Sequence, residues 1–297
     1  MQKSLKKFPE IEREVPLALF SSFGTGGKAD YFLRAKKLKL LIRVLEEAKE
    51  ARIPLFIFGG GTNIIFPDEG LQGLVIKNEC QEINFFREHV TVDSGFRLPS
   101  LVSMTIEKKL SGLENLFGIP GTVGGAIFGN AGAFGNEICK TVIEVEVFSR
   151  DGFQKVIFDS KKDSSYRSSR FKQNREIILR IKFNLKKSSY EVITDKKIIE
   201  IRKRQQYRGT VGSFFKNPNS DLSAGELLDK IGAKKIQVGG AGVLSSHANF
   251  LVNRGSATSE DILSLAKKLQ GKVQEKFDIT LEPEVNIMRN GEGYFGS

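Results

Sequence analysis

In LKLLIRVLEEAKEAR, apolar residues recur every three or four positions with charges between them, which predicts an amphipathic helix. It leads into IPLFIFGGG and then LQGLVIK, two short apolar runs that read as buried strands. HVTVDSG (89–95) alternates like a half-buried strand, and LPSLVSMTIEKKL (98–110) returns to helical spacing. VIEVEVFSRDGFQKVIF (142–158) is two strand patterns around an Asp-Gly turn, the clearest hairpin signal in the chain. REIILRIKFNL (175–185) predicts a further strand. Polar KKSSYEV then gives way to a helical pattern in DKKIIEIRKRQQ, which places a domain boundary at 186–195. Beyond it, SAGELLDKIGA (223–233) predicts a helix opened by a serine cap and closed at Gly232. NFLVN reads as a strand, SATSEDILSLAKKLQGKVQEKF as a long helix and LEPEVNIM as a closing strand.

With 297 residues the chain can form two or three domains, each with its own core. Charges interrupt every apolar run well short of the ~18 residues a membrane span needs, so no span is expected. MQKSLKKFPEIEREV lacks the apolar centre of a secretory signal, and a cytoplasmic location is expected. Two cysteines, Cys80 and Cys139, support neither a disulfide framework nor a four-cysteine zinc site, and no metal is expected. The net charge of +11 raises nucleic-acid binding as a possibility, but the basic residues are scattered and share their helices with acids. No nucleic-acid partner is expected; the same charge suits small polyanions such as nucleotides.

Three glycine clusters need an explanation. FGTGGKAD (23–30) is not a phosphate loop, because Ser22 and Ala29 stand where that motif needs Gly and Ser or Thr. It also fits a dinucleotide fingerprint formally, yet DYFLRA behind it reads as strand where a helix N-terminus is required. GGGTN (59–63) follows a buried strand and is either a nest of amides for phosphate oxygens or a tight strand-exit turn. GIPGTVGGAIFGNAGAFG (118–135) has seven glycines and no charge, with apolar flanks, which excludes a linker. Its glycines allow close approach, either to a flat cofactor or of a helix to a sheet.

These stretches occur in order with YRSSRFK, GSFFKNP, AGELLDKIGAK, SSHANFLVN and LEPEV, and together they resemble the UDP-N-acetylenolpyruvoylglucosamine reductase family. Its members are flavoenzymes that make UDP-N-acetylmuramate for bacterial peptidoglycan. The resemblance implies an α+β fold: an FAD-binding fold of the vanillyl-alcohol-oxidase type in two subdomains, 1–78 and 79–190. An α/β substrate-binding domain at 191–297 follows, its last strand returning to the active site. It also implies FAD as cofactor, NADPH as co-substrate, UDP-N-acetylglucosamine enolpyruvate as substrate, and a monomer. By the same resemblance Gly59, Gly60, Gly61, Thr62 and Asn63 lie along the FAD pyrophosphate. Ile119, Pro120, Gly121, Thr122, Gly124, Gly125, Ala126, Asn130 and Gly132 line the flavin.

The reaction implied adds hydride to C3 of an enolpyruvyl group and a proton to C2, so it needs fixed positive charge at the carboxylate and an acid at C2. The family motifs assign these roles to Arg167, as partner of the carboxylate, to Ser213, as the proton donor, and to Glu284. A raised pKa is expected for Glu284. Tyr166, Lys216 and Asn217 are assigned to substrate contact. His247 and His89 are read as structural. The chain departs from the family at Gly24, where arginine is common, at Thr62, where serine is usual, and at Phe134, where tyrosine is frequent. Only 45 residues separate Arg167 from Ser213, which implies the short type lacking an additional tyrosine loop. Tyr190 and Tyr207 are the candidates to replace that tyrosine. An oxygen-using flavin oxidase is the alternative within the same fold.

Overall fold

The structure is a computed structural model and describes residues 2–189, 196, 198–200, 209–219 and 221–295. Its first sheet has four strands: β1 (Glu12–Pro16), β2 (Lys28–Ala35), β3 (Leu55–Phe58) and β5 (Leu71–Asn78), in the order β1-β2-β5-β3. The two-residue β4 (Ile64–Ile65) lies apart from it. β5 runs parallel to both β2 and β3, with Val75 paired to Phe32 on one side and Phe56 on the other. Helix α1 (Leu38–Glu50) connects β2 to β3 and buries Leu41, Val44, Leu45 and Ala48. Their spacing of three and four puts all of them on one face, over Leu33, Leu55, Leu74 and Ile76 of the sheet. Each such side chain withdrawn from water contributes about 1.5–3 kcal/mol. The opposite face is covered by Leu17 and Phe66, with Phe58 and Phe66 edge to face at 5.2 Å.

A second, antiparallel sheet of five strands holds β6 (Ile83–Phe86), β7 (His89–Asp93), β8 (Val142–Ser149), β9 (Gly152–Ile157) and β10 (Ile177–Asn184), in the order β9-β8-β10-β7-β6. The hairpin expected at 142–158 is β8–β9, with Ser149 paired to Gly152 around the turn. Helices α2 (Leu98–Glu107) and α3 (Val123–Phe128) pack on this sheet through Leu98, Leu101, Val102, Val123 and Ile127. Phe148, Ile177 and Leu179 turn away from that core and join the α1 core, so the two sheets share apolar residues.

The remaining core is built by α5 (Ala224–Lys230), the hairpin β11 (Ala241–Leu244) and β12 (His247–Asn253), and α6 (Ser259–Phe277); α4 is the short Arg170–Gln173 turn. Both α5 and α6 open with capping boxes: Ser223 with Glu226, and Thr258 with Asp261. Asp68 accepts from the amides of Ser259 and Glu260, which fastens the first turn of α6 to the loop after β4. Phe23 and Ile65 are buried in this last core.

Two expectations change. LEPEVNIM is not a continuous strand: only Asn286–Ile287 (β13) is, running parallel to β4, with an isolated bridge from Pro283 to Phe215. Its partner β4 has only two residues, so no longer ladder can form. The helix expected at 195–206 is described only at 196 and 198–200, which are helical, and most of the 186–195 boundary, Tyr190 and Tyr207 lie outside the described residues. No helix among the described residues is long and apolar enough to cross a membrane.

Candidate active site

The chain leaves β3 through Gly59-Gly60-Gly61 and enters α3 through Ile119–Thr122, and these two loops pack on one another. A Cβ on Gly60 would stand 2.9 Å from the Cα of Gly121, and one on Gly59 would collide with the Thr122 side chain. Gly61 has φ +65° and faces the Phe20 carbonyl so closely that no side chain fits. Thr62 Oγ1 donates to the Pro120 carbonyl at 3.4 Å, and Thr122 caps α3 by accepting from Gly125 N at 3.3 Å. The glycines thus serve chain-to-chain approach first. The amides of Gly60 and Gly61 nevertheless donate to no acceptor among the described residues.

Gly124 and Gly125 have opposite surroundings. A Cβ on Gly124 would lie 2.6 Å from Ser94 Cβ and 2.9 Å from its carbonyl oxygen, and Gly124 N donates to that oxygen at 2.8 Å. At Gly124 the approach is that of a helix to a sheet, α3 touching the end of β7, while the residue also lines the cavity. Gly125 is exposed, and a Cβ there would meet nothing nearer than Thr122 Oγ1 at 3.5 Å. It presents bare backbone to the cavity.

Arg167 stands at the tip of a two-residue hairpin between Ser164–Ser165 and Ser168–Ser169, with φ +54°. Such a backbone in a non-glycine residue persists only where the surroundings hold it. The holder is Asn130, fully buried, whose Nδ2 donates to the Ser165 carbonyl at 2.9 Å while its Oδ1 accepts from Cys139 N at 3.4 Å. Asn130 was expected at the cofactor; instead it lies outside the cavity wall and pegs the Arg167 hairpin. Gly132 is glycine for the close approach of its own hairpin, since a Cβ there would stand 2.6 Å from the Asn136 carbonyl oxygen, with Arg167 Nη1 in ordinary contact at 3.4 Å.

Arg167 Nε lies 3.2 Å from Glu284 Oε1, close enough for an ion pair but without the alignment of a hydrogen bond, so this buried Nε keeps an unused proton. The Glu284 segment is threaded between two predicted motifs. Glu284 N donates to the Phe214 carbonyl at 2.8 Å, and Asn63 Nδ2 donates to the Glu284 carbonyl at 3.3 Å. Burial pushes the Glu284 carboxyl up, against the opposing pull of Arg167, Lys216 and Lys172. Ser213, bridged to Phe250, exposes its side chain and lines the same cavity.

That cavity has a volume of about 720 Å³. Its wall contains every expected cofactor and catalytic residue except Asn130. Tyr166, Lys216 and Asn217 lie outside the wall, as a connected group beside it. Asn217 N donates to Tyr166 Oη at 3.4 Å, Asn217 Oδ1 accepts from Ala224 N at 3.1 Å, and Lys216 Nζ pairs with Glu282 at 3.1 Å. Residues 22–25 and Phe134 also stay off the wall; Gly24 has φ +69°, a conformation suited to glycine. His247 packs on the Phe250 ring at 4.3 Å, and burial lowers its pKa. Among the described residues no group of three or more His, Cys, Asp and Glu side chains is placed to hold a metal.

Sequence reasoning missed part of the wall: Lys172, Arg175, Arg289 and Tyr294. Tyr294 N donates to the Leu55 carbonyl at 2.7 Å, and the Arg175 guanidinium donates to the carbonyls of Glu292 and Gly293. The signal available for Lys172 was its place inside YRSSRFK. The tail after β13 carried none beyond the apolar pair Tyr294-Phe295.

Comparison with known proteins bears on this cavity. A family model of the FAD binding domain matches residues 29–156, and one of the UDP-N-acetylenolpyruvoylglucosamine reductase C-terminal domain matches residues 203–288. The UDP-N-acetylenolpyruvoylglucosamine reductase of Thermotoga maritima is 38% identical over 280 residues, covering 93% of this chain and 98% of that protein. The enzyme of the same name from Lactobacillus delbrueckii subsp. bulgaricus is 36% identical over 284 residues, covering 94% and 95%. The crystal structure of the reductase from Thermus caldophilus superimposes with a TM-score of 0.78 at 33% identity, covering 94% of this chain and 99% of that one. The cavity fits FAD on its own terms: free amides at Gly60 and Gly61 for an anionic centre, a bare face at Gly125, and a buried Asn63 Oδ1 without a partner.

Proposed function

This chain belongs to the UDP-N-acetylenolpyruvoylglucosamine reductase family, and from that premise we propose that it reduces the enolpyruvyl group of UDP-N-acetylglucosamine enolpyruvate with NADPH. The product is UDP-N-acetylmuramate, a peptidoglycan precursor. The observation that carries the reading is the meeting, in one cavity, of the two glycine loops with Arg167, Ser213 and Glu284. The division into 1–78, 79–190 and 191–297, the cytoplasmic location and the monomeric state belong to the same proposal.

FAD bound here would supply hydride chemistry between NADPH and C3 of the enolpyruvyl group. The residues do the rest. The free amides of Gly60 and Gly61 would hold the pyrophosphate, Ile119–Thr122 would pack beside the flavin, and Gly125 would admit a ring against bare backbone. Addition at C3 moves an electron pair onto C2 and the attached carboxylate. Arg167, with an Nε proton that Glu284 leaves unused, donates to that carboxylate and stabilises the charge. Ser213 delivers its hydroxyl proton to C2, which completes the reduction of the double bond. A hydroxyl is a weak acid, and Glu284, whose pKa burial pushes up, replaces the proton. Tyr166, Lys216 and Asn217 form a rim for the rest of the substrate.

The test is spectroscopic. The FAD-loaded protein should be yellow, bleach with anaerobic NADPH, and recolour with UDP-N-acetylglucosamine enolpyruvate in the absence of oxygen. A protein that takes up no flavin, or whose bleached form is restored by oxygen and not by this substrate, would overturn the proposal.

A further inference from the structure

Among the described residues four cationic side chains line the cavity: Arg167, Lys172, Arg175 and Arg289. Three are already engaged. Arg167 stands 3.2 Å from Glu284, Arg175 donates to the Gly293 carbonyl at 2.6 Å, and Arg289 lies 3.7 Å from Glu292. Lys216, beside the cavity, is held by Glu282 at 3.1 Å. Lys172 alone has no hydrogen bond, ion pair or ring contact among the described residues. It is half-buried on α4, the turn that directly follows the Arg167 hairpin. A half-buried ammonium that faces the cavity with no protein partner is free to pair with an anionic ligand group.

The charges acting on Lys172 say where that ligand group lies. Burial and Lys216 lower its pKa, and Glu284 raises it, so Lys172 belongs to the same end of the cavity as Arg167, Glu284 and Lys216. At that end a substrate carboxylate would have to enter beside a carboxyl that already shares Arg167. One guanidinium between two carboxyl groups leaves an excess of negative charge once Glu284 gives up its proton; two cations balance two carboxylates. We propose that Lys172 is a further substrate-binding residue, the ammonium that receives the substrate carboxylate together with Arg167. The inference rests on the function proposed above. It assigns to Lys172 the specificity for a carboxylate-bearing UDP-sugar over the same sugar without one. It also places a second positive charge where the electron pair arrives during reduction.

The test compares two ligands by calorimetry on the FAD-loaded enzyme: UDP-N-acetylmuramate, which carries the carboxylate, and UDP-N-acetylglucosamine, which does not. Lys172→Met should weaken the first by roughly ten- to a hundred-fold, the range for a hydrogen bond to a charged group, and leave the second within about two-fold. Lys172→Arg should retain most of the discrimination. In the wild type, affinity for UDP-N-acetylmuramate should fall as pH rises towards the lowered Lys172 pKa, and Lys172→Arg should lack that fall. Equal weakening of both ligands, or of neither, would overturn the inference. If Lys172→Met does not take up FAD, Lys172→Gln carries the same comparison. A wild-type enzyme that does not prefer UDP-N-acetylmuramate would count against the proposed function itself, which separates the two failures.

Discussion

Arg167 and Glu284 meet at 3.2 Å, yet the Glu284 carboxyl still has a raised pKa, because the loss of water costs its charged form more than one poorly aligned guanidinium returns. A carboxyl whose pKa is raised on folding binds its proton more tightly in the folded chain. It contributes stability below the ordinary carboxyl pKa, and that contribution is lost as pH rises through the raised value. The melting temperature of the wild type relative to Glu284→Gln should therefore decline across that window in the cofactor-free protein. A difference that stays flat or grows with pH would contradict the assignment.

Gly124 and Gly125 should separate folding from cofactor binding. Gly124→Ala forces a methyl into Ser94 and should cost about 1–3 kcal/mol in urea denaturation. Gly125→Ala meets open space in a helix and should be neutral or stabilising by up to about 1 kcal/mol. Its effect should appear in flavin titration, as weaker FAD uptake. Equal stability losses for both would show that Gly125 is also packed.

Asn130→Ala removes the donor to the Ser165 carbonyl and leaves the buried Cys139 N without its acceptor. A loss of about 1–3 kcal/mol is expected. Because the peg holds the Arg167 hairpin, reoxidation by substrate should slow while FAD uptake stays near normal. A variant that stays stable but fails to load FAD would place Asn130 at the cofactor after all.

Ser213→Ala should leave bleaching by NADPH near the wild-type rate and slow recolouring by substrate about 10²–10⁴-fold, the usual contribution of a positioned acid. Stopped-flow measurement of the two halves separately decides this. Equal slowing in both would remove Ser213 from the proton-transfer role.

Much of this molecule can be read along the chain. Period-two and period-3.6 patterns locate α1, β7 and the β8–β9 hairpin, because each buries one face against a single neighbour. Ser223 and Thr258 mark helix starts since capping chemistry is local. The dinucleotide fingerprint at 23–30 fails in the structure as it does in sequence, with β2 where a helix would be needed. What stays hidden is relational. LEPEVNIM reads as a strand, but a two-residue partner limits it to Asn286–Ile287. Gly124 and Gly125 are adjacent and identical in type, and only the position of Ser94 tells them apart. Asn130 looks like a ligand residue in a glycine-rich motif until Ser165 is seen on its amide. Lys172 is one lysine among many until its neighbours are found to have partners and it is not.

The Asn63–Glu284 hydrogen bond joins positions 221 apart, and β13 lies alongside β4 at the same place. A nascent chain that has emerged only as far as α6 has both sheets and both glycine loops, but the cavity still lacks the wall formed by Glu284, Asn286, Ile287 and Met288. FAD uptake is therefore expected only once the segment through Met288 has folded back alongside β4. Until then the Ile64 side of the cavity has no cover from β13.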